Sequence, residues 1–140
     1  MTKKYKILSK FVKDMSSETP NVETYIHVKD NISKYHLNID INSKAIKNKL
    51  IEINTKLSFK DPEEKIKKSF FEIIFATIIK VEPEVENKED LEKIILCDCQ
   101  IEIYPELEKI FLNLLEISGY PGVKFEKKVN FQELFNQRFN

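Results

Sequence analysis

The hydrophobic period of the sequence changes near Pro83. Before Pro83, the sequence has four strand-like segments. In the first three, apolar and polar side chains alternate, as in a strand with one buried face. In the middle of the fourth, both the odd-numbered and the even-numbered side chains are apolar. The segments are residues 5–18, 35–41, 51–59 and 66–81, and residues 22–30 show no clear pattern. A connection is expected to begin at Asn42, and short turns predict an antiparallel meander.

After Pro83, apolar residues recur with the spacing of amphipathic helices. Pro105 is expected to interrupt this pattern, and Gly119 occupies a plausible C′ position. The apolar stripe of the main helix consists of Leu107, Ile110, Phe111, Leu114 and Leu115. A short terminal helix over Phe131–Phe139 follows, with Asn130 as its N-cap and Glu133 three positions later. Strands followed by helices predict one α+β domain over residues 1–140: a four-stranded antiparallel sheet, a long amphipathic helix and a short C-terminal helix.

The charge balance excludes several partners. Lys and Arg number 23, as do Asp and Glu, so no basic surplus is available for tracking phosphates, and no nucleic-acid partner is expected. The sequence has no apolar run of about 18 residues, so no membrane insertion is expected. The N-terminus lacks the apolar stretch of a secretion signal, which predicts a cytoplasmic protein.

The residue types that carry chemistry are scarce. Two glycines cannot build a phosphate-binding loop. Cys97 and Cys99 lack the spacing of a structural zinc site, and His27 and His36 are far from them in sequence. We therefore expect no catalytic activity, no cofactor and no metal.

Two features remain as signals for function. Asp14 and Glu18 point the same way on an extended segment, and Glu72 joins them if the fourth strand neighbours the first. Such an acidic face suits a basic partner, although a solvated face is an alternative. The aromatic residues, ten Phe and five Tyr, exceed the needs of one small core. They can form a homo-oligomer interface or an exposed apolar groove.

Four motifs follow one another along the chain. The first is Phe11-Val-Lys-Asp-Met-Ser-Ser-Glu-Thr-Pro-Asn21. The others are Cys99-Gln-Ile-Glu-Ile-Tyr-Pro105, Ser118-Gly-Tyr-Pro121 and Val129-Asn-Phe-Gln-Glu-Leu-Phe135. In this order and spacing they resemble the motifs of the SecB-type protein-export chaperones, and the resemblance covers nearly the whole chain.

The resemblance implies an ATP-independent holdase, assembled as a homotetramer that is a dimer of dimers. It would bind unfolded secretory precursors and deliver them to the SecA motor. The positions matching the SecA-docking surface are Asp14, Glu18, Phe70 and Glu72. The client-binding groove, assigned by region, would include Phe75, Ile78, Tyr104, Tyr120 and Phe125.

Two alternatives stay open. The chain is neutral, whereas members of the family are usually acidic, which favours a SecB-like chaperone dedicated to one client such as an antitoxin. A domain of a different class would bind a small apolar ligand in the groove, or use Cys97 and Cys99 with a histidine in catalysis.

Overall fold

The computed structural model describes residues 3–61, 69–125 and 128–139, with side chains through residue 137. The strands are β1 (Tyr5–Glu18), β2 (His36–Ile46), β3 (Leu50–Lys60) and β4 (Phe70–Val81). The helices are α1 (Val22–Asn31), α2 (Lys88–Lys93), α3 (Cys99–Ile117) and α4 (Phe131–Phe139). The predicted α+β class, the four-stranded antiparallel sheet, the long helix and the short C-terminal helix are all confirmed.

The strand order is β1-β4-β3-β2, and every neighbouring pair is antiparallel. The predicted meander holds only for β2, β3 and β4, because β1 lies beside β4 at the opposite edge. Helix α1 fills the connection between β1 and β2, where the sequence shows no clear pattern. Its start is fixed by Asn21, whose side chain accepts a hydrogen bond from the amide of Thr24 at 2.8 Å.

Strand β2 is longer than predicted, since Asn42 and Lys44 continue the ladder to Ile46 instead of beginning a connection. Asn42 pairs with Asn54 and Lys44 with Glu52, so partners on β3 override the low strand propensity of this polar stretch. The predicted start of the fourth strand at Ile66 lies outside the described residues, as do Pro62 and Glu63 of the turn expected over residues 60–63.

One face of the sheet packs against α3 and forms the core. Ile53, Leu57 and Ile73 on this face are fully buried, as are Leu107 and Phe111 on α3. Burying each such side chain contributes roughly 1.5–3 kcal/mol to folding. We call this side of the sheet the inner face and the opposite side the outer face.

The helical half runs from α2 through a π-helical turn, Ile94–Asp98, into α3. Pro105 lies inside α3 and does not end it, which contradicts the predicted interruption. Gln100 supports the junction: it is fully buried, donates to the Ile95 carbonyl at 3.2 Å and accepts from the Thr55 hydroxyl at 3.0 Å. The π turn is thereby fixed to β3.

Both predicted helix boundaries of the C-terminal region are confirmed. The amide of Tyr120 donates to the Leu115 carbonyl at 2.9 Å and that of Gly119 to Glu116 at 3.1 Å, which is a Schellman motif with Gly119 at C′ and φ of 104°. The Asn130 side chain accepts from the Glu133 amide at 2.9 Å and caps α4.

Candidate functional site

An open groove of about 1190 Å³ lies along the side of α3 that faces away from the sheet. Its second wall consists of Gly122, Val123, Phe125, Lys128, Val129 and Phe131. Its apolar lining includes Ile101, Tyr104, Leu112, Val123, Phe125 and Phe131. Charged groups of both signs, Glu108, Lys109, Glu116 and Lys128, border these apolar side chains. An apolar surface bordered by charges suits a flexible polypeptide with mixed side chains.

Aromatic contacts hold the groove in shape. The Phe125 ring lies 6.2 Å from that of Phe111 in a stacked arrangement and 5.6 Å from that of Phe59, edge to face. Tyr104 meets Phe131 of α4 edge to face at 5.3 Å. Such contacts each add about 0.5–1.5 kcal/mol beyond area burial. The core of the domain therefore anchors the second wall at Phe125.

Burial raises the pKa of Tyr104, and the neighbouring Glu108 carboxylate raises it further. The phenol consequently stays protonated, because an ionised phenolate would be poorly solvated there and would face a negative charge. The groove thus presents a neutral apolar ring at this position.

The five predicted groove residues do not all meet. Tyr104 and Phe125 line the groove. Phe75 is buried on the inner face opposite Thr55, while Ile78 lies on the outer face opposite Glu52. Tyr120 is buried and contacts Phe71 edge to face at 5.4 Å instead of lining the groove.

Apart from Tyr104, the sequence does not identify the α3 wall of the groove. Ile101, Pro105 and Leu112 follow helical spacing on the exposed side of α3, and Ile101 is 55% exposed. These residues form a second apolar stripe. An interruption of the helix at Pro105 would divide this stripe in two, which hides the signal in the sequence.

The predicted acidic residues share the outer face. Glu18 pairs with Phe70 and Ser16 with Glu72 across β1 and β4, and Asp14 lies further along the same side opposite Ile74. The adjacency of the first and fourth strands, on which this grouping depends, is therefore observed.

This face is not uniformly acidic. The Lys56 ammonium lies 3.5 Å from the Glu72 carboxylate, and Lys13 lies 2.8 Å from Glu52. Hydrogen bonds from Lys13 and then Asn54 lower the pKa of Glu52, so it is ionised at neutral pH. A basic partner approaching Glu72 would compete with Lys56.

Cys97 and Cys99 are buried free thiols. Burial raises the pKa of Cys99 to about 12, with Glu102 and Asp98 adding to the effect, so little thiolate exists at neutral pH. Among residues 3–61, 69–125 and 128–139, no group of three potential ligands is placed to hold a metal. Within the same residues, no helix combines the length and hydropathy needed to cross a membrane.

Comparisons with known proteins agree with this arrangement. The family model described as preprotein translocase subunit SecB matches residues 1–140. The chain is 61% identical over 140 residues to "Putative protein-export protein SecB" of Pelagibacter ubique, covering 100% of both chains. It is 23% identical over 133 residues to the protein-export protein SecB of Parvibaculum lavamentivorans, covering 95% of this chain and 77% of that one.

A solved structure shows the same fold. It is a SecB-like chaperone of Mycobacterium tuberculosis in complex with a peptide from the HigA1 antitoxin. The TM-score is 0.67 at 10% identity, over 90% of this chain and 88% of that one. The match to the family model over the full length and the high identity to a relative lead to one conclusion: the chain belongs to the SecB family of protein-export chaperones.

Proposed function

We propose that this protein is an ATP-independent holdase of the cytoplasm that keeps precursor proteins unfolded and delivers them to the SecA motor. The observation that carries the proposal is the open apolar groove, with its aromatic contacts to the core and its border of charges of both signs. Holding an unfolded chain needs no catalysis, so the absence of a phosphate-binding loop in the sequence is consistent with this activity.

The energetics suit reversible capture. Each large apolar client side chain that enters the groove contributes roughly 1.5–3 kcal/mol before the cost of ordering the client. A few such contacts per groove give weak binding with fast exchange. Several grooves on one assembly strengthen the binding through effective concentration.

We propose that the chain assembles as a dimer of dimers. Strand β1 is an edge strand, and its side chains Leu8, Phe11, Val12 and Met15 are between 41% and 47% exposed. An edge with that many exposed apolar groups favours pairing with another copy over a solvated monomer.

We propose that SecA docks on the outer face at Asp14, Glu18, Phe70 and Glu72. The support is their common side of the sheet and the exposure of Asp14 and Glu18. A basic segment with an apolar side chain would complement this set, with the carboxylates guiding its approach.

The experiment is suppression of aggregation of a chemically unfolded precursor, with oligomer mass measured by light scattering. Ile101→Asp places a charge in the groove, whereas Ile26→Asp places one at a similarly exposed position, 52% against 55%, outside the residues that line it. We expect Ile101→Asp alone to weaken suppression while both variants keep the wild-type mass. Equal activity of the two variants would refute the groove as the client site.

The neutral charge and the pairing of Glu72 with Lys56 favour a second candidate, a SecB-like chaperone dedicated to one client. Titration with SecA separates the two proposals. Binding of SecA at physiological ionic strength favours the export holdase. A tetramer that protects one small partner and ignores SecA favours the dedicated chaperone.

A further inference from the structure

The second wall of the groove includes a loop that is anchored at both ends. We name it the 119–125 loop, after residues 119–125 that follow α3. Val123 and Phe125 line the groove, and the stacking of Phe125 on Phe111 holds the far end. The near end begins at Gly119 and Tyr120, which lie outside the groove.

Tyr25 of α1 holds the near end through several contacts. Its hydroxyl donates to the Gly119 carbonyl at 3.0 Å, and its ring stacks on that of Tyr120 at 5.3 Å. The approach is so close that a Cβ at Gly119 would lie 2.7 Å from the Tyr25 ring. The Tyr120 hydroxyl in turn lies 3.3 Å from that of Thr19, just before α1.

Gly122 lies between the two anchors of the loop. Gly122 has φ of 85°, and nothing lies within 4 Å of the point where its Cβ would be. A glycine there allows backbone conformations that other residues rarely adopt. Val123 packs against the core, and the anchors at Tyr25 and Phe111 act together with this packing to place it.

We propose that Tyr25 is a positioning residue for the groove, because it fixes the start of the 119–125 loop and with it the wall that carries Val123 and Phe125. Tyr25 does not line the groove, so it acts on a bound client only through this loop. The consequence for binding rests on the proposed holdase function, whereas the placement of the loop does not.

The test compares Tyr25→Phe with Tyr5→Phe. Each variant loses one hydroxyl that donates a hydrogen bond. The Tyr5 hydroxyl donates to the Glu102 carboxylate at 2.5 Å, at the opposite end of α3 from Gly119. Amide hydrogen exchange at Gly119 and Tyr120, whose amides donate to the Glu116 and Leu115 carbonyls, reports on the start of the loop. The dissociation rate of a reduced, alkylated, permanently unfolded probe protein reports on the groove.

We expect Tyr25→Phe to speed exchange at Gly119 and Tyr120 about fivefold, the usual effect of one net hydrogen bond, and to speed probe dissociation by a similar factor. Tyr5→Phe should leave both rates at the wild-type value. Unchanged loop exchange in Tyr25→Phe, or equal acceleration in both variants, would overturn the proposal. If the wild type fails to capture the probe, the holdase function is refuted, and loop exchange still decides the role of Tyr25.

Discussion

The two glycines of the chain allow the cost of backbone strain to be measured separately from the cost of a steric conflict. Gly119 and Gly122 both have positive φ, 104° and 85°. A Cβ at Gly122 would meet nothing within 4 Å, whereas a Cβ at Gly119 would lie 2.7 Å from the Tyr25 ring. Replacing each by alanine therefore imposes a similar backbone strain, and only Gly119→Ala adds a steric conflict.

The magnitudes follow from these contacts. An alanine at positive φ costs about 1–2 kcal/mol, which applies to both variants. In Gly119→Ala the Tyr25 ring must move, so its hydrogen bond to the Gly119 carbonyl and its stacking on Tyr120 are weakened. Each contact is worth about 0.5–1.5 kcal/mol. We expect Gly119→Ala to lower the free energy of unfolding by about 1–3 kcal/mol more than Gly122→Ala does.

Urea unfolding at one fixed protein concentration measures the difference, because assembly makes stability depend on concentration. In a Tyr25→Ala background the additional cost of Gly119→Ala should disappear, which a double-mutant cycle quantifies. Equal costs for the two glycine variants in the wild-type background would refute the reasoning. So would an additional cost that survives the removal of Tyr25.

Three further predictions test other parts of the structure. Lys56→Ala frees the Glu72 carboxylate and should tighten SecA binding at low salt in a titration, whereas Lys56→Arg should not. Hydrogen bonds from Lys3 and Tyr5 hold the pKa of Glu102 below its usual 4.5. The ionised Glu102 therefore stabilises the folded state above that pH, and this contribution is lost as the pH falls. Glu102→Gln should flatten acid unfolding curves below pH 4.5. Gln100→Leu leaves the buried Thr55 hydroxyl unpaired and should cost about 1–3 kcal/mol in urea unfolding, part of which Thr55→Val in the same chain recovers.

Local patterning predicted the elements whose own residues determine them. The alternation in β3 and the apolar stripe of α3 follow from burial on one face, so period alone identifies both. The caps at Gly119 and Asn130 were readable for the same reason, since each satisfies backbone groups of its own helix. Helix α1 was missed because its apolar residues do not form one stripe: Val28 is buried, whereas Ile26 is 52% exposed.

Features that depend on contacts between distant segments were not predictable. The end of β2 is set by partners on β3, and the position of β1 beside β4 is set by how the chain crosses over. A resemblance by region does not determine on which face of the sheet a groove residue lies. Phe75 and Ile78 are three positions apart on β4 and consequently lie on opposite faces of the sheet.

Strand β4 lies between the two proposed binding surfaces, which are on opposite sides of the sheet. Its odd-numbered residues, such as Phe71 and Phe75, face the helical layer that carries the groove, while Phe70 and Glu72 face outward. A client in the groove and a motor on the outer face are then separated by the sheet and by α3, about 10 Å per layer. Under the proposed function they do not compete for the same atoms. Under the proposed function, transfer of a client would therefore pass through a complex that holds both partners at once.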